Sequence, residues 1–363
     1  MNKNILIIGS TGKLGSKLLN YTHKEKITIK AITCFSNKKK LLNQKKKFNI
    51  NNFYALSHPS DNENFLKLIS KSKFYIVYFL DYGSSSLILL DKILKNNTGC
   101  TIAIANKEMI VAGGHLLRNK ILNSNNNLVP LDSEHFSLFK LNPKDIETKY
   151  LYITASGGPF YFNKKIDLNK VSQKEVTSHP KWKMGINNSI DSSNFINKIL
   201  EIFELSIIFN IDISKINFLV SREAFIHSLI YYKDNTININ CFENDMLIPL
   251  IKPLTYNLKS NELNYTSKKF LNITNLKLEK FNDKRFKIHQ FLKRIKKFTH
   301  NQQISFMILN NYAHKKYLKQ KLPYSNIINF IFDNIEPQKD MKFRNFHDIL
   351  KYIGDLKTKY ETI

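Results

Sequence analysis

A chain of 363 residues, 42% hydrophobic and 12% aromatic, carries enough apolar material for two or three folded domains and excludes wholesale disorder. No window approaches the roughly 18 uninterrupted apolar residues that a membrane span needs. The formal net charge of +27 points first to nucleic acid, but the excess is Lys spread among Asn, Ile, Tyr and Phe rather than gathered on one element beside stacking aromatics. It reads as compositional bias, with no specific nucleic-acid partner and no membrane. The densest run, Lys38, Lys39, Lys40 with Lys45, Lys46 and Lys47, reads as a solvated helix face. Three cysteines, Cys34, Cys100 and Cys241, form no CxxC pair, which suits buried thiols in a reducing cytoplasm. The apolar run that starts at Ile5 is expected to leave no room for a signal or transit peptide before it.

Residues 4–9 read as a buried strand, followed by a Gly-rich turn and a helix over 13–23. Strands are predicted at 27–34, 74–80 and 101–105, with a helix at 85–95 among the stretches between them. This strand–helix alternation predicts a doubly wound parallel sheet. A polar spacer at 123–127 leads to a strand at 128–131. From residue 151 the texture changes to a strand over 151–155, a Ser-Gly-Gly-Pro turn and polar loops. A helix is expected over 193–209, then strand, helix and strand over 217–241. Residues 254–281 suit a linker. Beyond 281 the pattern is helical, as in 304–320 and 325–334, and predicts a small α-domain.

Five motifs carry chemistry. Gly9-Ser10-Thr11-Gly12-Lys13-Leu14-Gly15 follows the first strand; glycines let backbone approach a pyrophosphate, and the next helix offers unpaired N–H groups. After the second strand stands Ser36-Asn37-Lys38 rather than an acidic residue, which favours NADP over NAD. Asp132-Ser133-Glu134 ends a strand; in extended chain both carboxylates face one side and suit Mg²⁺ or Mn²⁺, although a solvated loop presents such a pair as well. In the helix opened by Asp191-Ser192, Asn194, Asn197, Lys198 and Glu201 share one face, with Phe195, Ile196, Ile199 and Leu200 toward the core. The first turn suits a phosphate, and Glu201 a third metal oxygen. Thr154-Ala155-Ser156-Gly157-Gly158-Pro159 reads as a ligand-facing loop or an ordinary turn. His179-Pro180-Lys181-Trp182-Lys183-Met184-Gly185 holds the single tryptophan and reads as a hinged lid or as filler.

Taken in order, these motifs resemble the 1-deoxy-D-xylulose 5-phosphate reductoisomerase family of the non-mevalonate isoprenoid pathway. The resemblance rests on GSTGKLG, ANKEMIVAGG (105–114), PLDSEHFSLF (130–139), TASGGPF, HPKWKMG, DSSNFINKILEIFE (191–204) and IHSLIYYKDNT (226–236). It covers about residues 5–250; the last hundred match only in helical texture. Phe35 departs from the family's Gly, Ile186 and Asn187 from its basic residues, Ser221-Arg222 from His-Pro, and Asp81-Tyr82-Gly83-Ser84 from a Gly/Ala-rich loop.

The resemblance implies an α/β chain with a Rossmann-like NADP-binding domain over 1–127 and an α+β catalytic domain over 128–253. A linker over 254–281 and a C-terminal helical domain over 282–363 would follow. It implies a metal (Mg²⁺, Mn²⁺ or Co²⁺) on Asp132, Glu134 and Glu201, with Lys107, Ser133 and Glu134 at the reacting carbons of a small sugar phosphate. Ser156, His179, Ser192, Asn197 and Lys198 would hold the phosphate. Thr11, Gly12, Lys13, Leu14, Ser36, Asn37, Asn106, Glu108 and Gly185 would hold NADPH. Trp182 and Met184 would belong to the lid, and Lys107 would support proton movement or oxyanion charge. The family's enzymes are homodimers that rearrange 1-deoxy-D-xylulose 5-phosphate and reduce the product to 2-C-methyl-D-erythritol 4-phosphate. Another NADP oxidoreductase of similar fold accounts for GSTGKLG but not for the three acids and lid together. A basic nucleic-acid-binding protein is the rival from another class.

Overall fold

The structure, a computed structural model, describes residues 4–139, 141–178, 185–255, 275–337 and 340–362. It divides into two compact units, Met1–Phe139 with Asp245–Leu271, and Lys140–Asn244 with Asn272–Ile363.

In the first unit, strands β1 (Ile5–Ile8), β2 (Ala31–Cys34), β3 (Asn52–Ala55), β4 (Ile76–Phe79), β5 (Thr101–Ile104) and β6 (Asn127–Pro130) form a parallel sheet in the order β3-β2-β1-β4-β5-β6. Four of these strands are buried throughout, as strands covered on both faces must be. Helices α1 (Lys13–Lys24), α2 (Lys38–Phe48), α3 (Pro59–Lys71), α4 (Ser86–Asn96) and α5 (Lys107–Asn123) make the crossovers, and α6 (Ser133–Phe139) follows β6. The order reverses between β1 and β4, the switch point at which such sheets open a ligand crevice beyond the strands' carboxyl ends. Strand two is shorter than its apolar run suggests, starting at Ala31. Strand β3 and helix α10 (Leu247–Thr255) escaped the periodicity analysis. The helix carries Pro249 and Pro253, yet Leu250, Ile251 and Leu254 pack into the core around β1, and Tyr78 donates a 2.9 Å hydrogen bond to the Leu250 carbonyl.

The second unit is built on the mixed sheet β10-β9-β7-β8-β11: β7 (Thr148–Ala155), β8 (Ile216–Val220), β9 (Ile226–Tyr232), β10 (Ile237–Cys241) and β11 (Glu279–Lys280). The helix expected within 217–241 is not there; a β9–β10 hairpin takes its place. Tyr231 and Tyr232 precede the turn, Asp234 Oδ1 accepts from the backbone of Thr236, and Asn235 takes the left-handed φ of 69°. Helices α7 (Gln173–Thr177), α8 (Ile186–Ser193) and α9 (Ile196–Phe209) lie between β7 and β8. Helices α11 (Leu292–Ile295), α12 (His300–Leu318), α13 (Ile327–Asn334) and α14 (Phe346–Glu361) complete the chain.

The helix expected over 193–209 is α9, which starts at Ile196; the Asp191-Ser192 pair read as its opening lies in the separate α8, across a break at Asn194-Phe195. Phe195 has φ 67°, which costs a non-glycine residue about 1–2 kcal/mol. Its ring sits 4.6 Å from Phe281, 4.9 Å from Phe286, 5.7 Å from Tyr161 and 5.8 Å from Phe218, centroid to centroid. Each such pair contributes about 0.5–1.5 kcal/mol beyond burial, so the aromatic cluster outweighs the strain.

Near it, Asp283 accepts from Arg285 (2.8 Å) and Lys164 (2.7 Å), while Arg285 also donates to the carbonyls of Phe160, Asn163 and Ile166. Burial alone would raise the Asp283 pKa; the hydrogen bonds from Arg285 and Lys164 win and lower it to about 2. A folded pKa below the unfolded value contributes stability above about pH 4 that is lost as pH falls through about 2. Asp283→Asn is therefore expected to lower unfolding free energy by about 2 kcal/mol at neutral pH. It should also flatten the acid limb of the stability curve between about pH 4 and 2, and urea melts across that range test this.

Candidate active site

In the first unit, the turn after β1 is shaped by backbone contact. Gly9 has φ +87°, and a Cβ there would lie 2.5 Å from the Asp81 backbone nitrogen at the end of β4. A Cβ on Gly15 would lie 2.6 Å from the Gly9 carbonyl, so that glycine lets α1 start directly against the turn. Gly12 and Lys13 are exposed and Thr11 and Leu14 half-buried, which leaves the start of α1 open. Gln44 on α2 fixes the turn from below, donating to the Ser10 carbonyl at 2.8 Å and accepting from Ser10 Oγ at 2.8 Å. Sequence reading missed Gln44, since nothing local distinguishes it among the surrounding lysines.

Ser36 and Asn37 lie exposed beyond β2, where Asn37 caps α2 by accepting from the Lys40 backbone at 3.1 Å. Phe35, in the family's glycine position, is 73% exposed, so its ring fills no part of the core. Beyond β5, Asn106 caps α5, accepting from the Met109 backbone at 3.0 Å and donating to Asp81 at 3.2 Å and the Gly83 carbonyl at 2.9 Å. Burial pushes the Asp81 carboxyl above its usual range, against the hydrogen bonds from Ser86 and Asn106. Asp81 is a second residue that sequence reading left without a role; here it orients Asn106. Glu108 lies in the first turn of α5, the end of a helix that favours an acid.

Parallel neighbours β5 and β6 end side by side, which sets Lys107 against Asp132 with Nζ 3.0 Å from Oδ2. The extended geometry expected for Asp132-Ser133-Glu134 is replaced by a helix start. Ser133 opens α6, Asp132 Oδ1 accepts from the Glu134 backbone at 3.1 Å, and Ser133 Oγ donates to Glu134 Oε2. A short polar side chain ahead of a helix meets its unpaired N–H groups, so Asp132 folds onto the turn that presents Glu134.

In the second unit, Gly157 (φ +85°) and Gly158 (φ +57°) turn the chain after β7, and a Cβ on Gly158 would lie 2.8 Å from the Ser192 carbonyl. That contact sets the Ser156 turn beside the last turn of α8, which carries Ser192. Asn194 leaves the expected face: it is buried in the break, where its Oδ1 accepts from the Ile196 backbone at 3.0 Å. Asn197, Lys198 and Glu201 do share one face of α9. Asn197 Nδ2 donates to Glu201 Oε1 and Lys198 Nζ to Glu201 Oε2, with the Lys198 and Glu201 side chains 8% and 1% exposed. Gly185 precedes α8 as its N-cap. His179, Trp182 and Met184 lie outside the described residues. Gly158→Ala is expected to cost about 1–3 kcal/mol and to raise the KM for a phosphorylated substrate. Thermal melts with steady-state kinetics would show it, and a parental KM would mean that the turn does not shape this cradle.

The parallel sheet with its glycine turn at the switch point is the architecture of the dinucleotide-binding class of proteins. Residues 128–209 match the 1-deoxy-D-xylulose 5-phosphate reductoisomerase C-terminal domain, and residues 243–358 the DXP reductoisomerase C-terminal domain. The 1-deoxy-D-xylulose 5-phosphate reductoisomerase of Clostridium novyi is 30% identical over 99% of both chains, and that of Pelagibacter ubique 30% identical over 96% of both. A crystal structure of DOX-P reductoisomerase with NADPH, fosmidomycin and magnesium shares the fold at a TM-score of 0.85 and 22% identity, covering 99% of this chain and 98% of that one. The Zymomonas mobilis enzyme in complex with NADPH superposes at 0.84, with 22% identity and the same coverage. The chain belongs to the 1-deoxy-D-xylulose 5-phosphate reductoisomerase family.

Proposed function

We propose that the chain converts 1-deoxy-D-xylulose 5-phosphate to 2-C-methyl-D-erythritol 4-phosphate, using NADPH and a divalent metal ion. The observation that carries this reading is Glu201, a carboxylate 1% exposed and gripped by Asn197 and Lys198, the side chains assigned to the substrate phosphate. A buried acid is costly unless paired, and here its partners are the groups that a phosphate would draw away.

Asp132, Glu134 and Glu201 are the proposed metal ligands. All three donors are hard carboxylate oxygens, the set that Mg²⁺, Mn²⁺ and Co²⁺ accept. Each is already oriented within its own unit: Asp132 by Lys107, Glu134 by Ser133, and Glu201 by Asn197 and Lys198. When bound, the ion supplies Lewis-acid polarisation and the nicotinamide supplies hydride. Of the chain's own residues, Lys107 holds Asp132 and places an ammonium where oxyanion charge or a proton must be managed. Ser133 and Glu134 bind near the reacting carbons. Ser156, Ser192, Asn197 and Lys198, with His179, hold the phosphate end. Thr11, Gly12, Lys13 and Leu14 serve the pyrophosphate, Ser36 and Asn37 the ribose phosphate, and Asn106, Glu108 and Gly185 the rest of NADPH. Residues 179–185, of which 179–184 lie outside the described residues, are assigned the role of a lid.

Among the described residues no helix is long and apolar enough to cross a membrane. We place the enzyme in the cytoplasm as a homodimer. The edge strand β10 supports the second part: Ile237 and Ile239 are 56% and 53% exposed on one face, an apolar ridge that a second copy would cover.

The deciding assay follows NADPH oxidation with 1-deoxy-D-xylulose 5-phosphate and Mn²⁺, with and without a chelator. Metal-dependent oxidation with a branched polyol phosphate as product is expected. Oxidation indifferent to chelation would overturn the reading.

A further inference from the structure

One buried polar cluster in the second unit has no place in the reaction as proposed. Asp191, in the last turn of α8, is 5% exposed. Its Oδ1 accepts from His314 Nε2 at 2.8 Å and from Asn310 Nδ2 at 2.9 Å. Both donors come from α12 at i and i+4, so they stand one turn apart on one helix face. His314 and Asn310 are 1% and 2% exposed, inside a helix whose other buried positions include Ile304, Phe306, Met307, Ile308 and Leu309.

Two polar donors and a carboxylate in such a contact are not required for stability. Apolar side chains of like volume commonly serve a buried helix contact as well or better, whereas a fixed set of hydrogen bonds specifies one geometry. The geometry specified here is that of the residue next in sequence. Ser192 follows Asp191 directly, its carbonyl lies where Gly158 brings the Ser156 turn, and Ser193 Oγ closes the same turn on the Ile190 carbonyl at 2.7 Å. Without the bonds from Asn310 and His314, the end of α8 loses the polar contacts that tie it to α12 just ahead of the break at Asn194-Phe195.

We propose that Asn310 and His314 on α12 are positioning residues for substrate phosphate: through Asp191 they fix the end of α8 and thereby aim Ser192. This inference rests on the assignment of Ser192, Asn197 and Lys198 to the phosphate. It gives the C-terminal helices a task that their sequence does not announce, coupling them to one end of the substrate and to no step of the chemistry.

The test compares His314→Leu, which removes the donor, with His314→Gln, whose amide keeps an N–H near the position of Nε2. KM for the sugar phosphate, KM for NADPH, kcat, the inhibition constant of inorganic phosphate and the melting temperature are measured for each. His314→Leu is expected to raise the sugar-phosphate KM and the phosphate inhibition constant by about tenfold, the low end for loss of a supporting partner, with NADPH KM and kcat within about twofold. His314→Gln should restore most of the loss. If His314→Leu does not fold, Asn310→Ala removes the other donor and carries the same expectation. Unchanged phosphate affinity, or an equal fall in every parameter that Gln fails to rescue, overturns the proposal. Lys198→Met serves as the control: if it too leaves phosphate affinity unchanged, the phosphate assignment itself fails, whereas an effect of Lys198→Met alone refutes only the role of α12.

Discussion

Replacing Glu201 by Gln is expected to reduce kcat by on the order of 10³-fold, the scale of losing a principal electrostatic group from a reacting centre, while the Kd for NADPH moves by less than about twofold. The side chain is almost isosteric, so packing of α9 changes little; what disappears is one negative charge among three proposed metal ligands. The residues assigned to NADPH lie almost entirely in the first unit, on the turns after β1, β2 and β5, whereas Glu201 belongs to the second unit. A metal ligand that serves chemistry rather than folding predicts this separation. Raising Mn²⁺ should recover only part of the activity, because an amide oxygen is a weaker donor than a carboxylate for a hard cation. Stopped-flow turnover and fluorescence titration of NADPH measure the two quantities independently. A parallel loss of both would remove Glu201 from the metal and make it a structural acid.

How much of this was legible beforehand depends on where the determining contacts lie. The β1–turn–α1 unit was readable because its causes are local: an unbroken apolar run, then glycines whose backbone freedom the sharp turn demands at Gly9. The parallel character of the sheet follows from strand–helix alternation, whereas its order, which brings Lys107 to Asp132 across neighbouring strand ends, is seen only in the fold. The break at Asn194-Phe195 was not readable. Its polar spacing is that of one continuous helix, and the rings that hold Phe195 in its left-handed conformation include Phe281 and Phe286 from far along the chain. The hairpin at 226–241 is a different case. Asp234-Asn235 between two runs rich in Ile and Tyr is a local turn signal, and it accounts for the hairpin where strand, helix and strand were expected. Asp132-Ser133-Glu134 shows a third kind of shortfall: the extended geometry expected of it is a helix start, since the choice between extended chain and a helix cap is made by the next turn of backbone. Gln44, Asp81, Asn310 and His314 share one property. Each acts through tertiary contact on a turn or helix end next to a candidate site residue, and none carries a sequence signature of doing so.

Lys198→Met should act on the other end of the substrate and by a different parameter. A charge-assisted hydrogen bond to phosphate contributes about 1.5–3 kcal/mol, so KM for 1-deoxy-D-xylulose 5-phosphate is expected to rise by about 10–100-fold. The effect on kcat should be smaller, because the phosphate does not react and its binding is realised in ground and transition states alike. A competing effect must be weighed. Lys198 also pairs with Glu201, and both are nearly buried, so its removal strips a carboxylate of its neighbouring cation. A divalent ion at Glu201 replaces that lost charge, whereas nothing replaces the ammonium at the phosphate. The variant should therefore bind Mn²⁺ at least as tightly as the parent while binding substrate more weakly, and inhibition by inorganic phosphate should fade in step with KM. Metal titrations followed by kinetics at saturating Mn²⁺ separate the two consequences. A fall in kcat with KM unchanged would place Lys198 at the reacting carbons instead, and would leave Ser156, His179, Ser192 and Asn197 to hold the phosphate without the lysine ammonium.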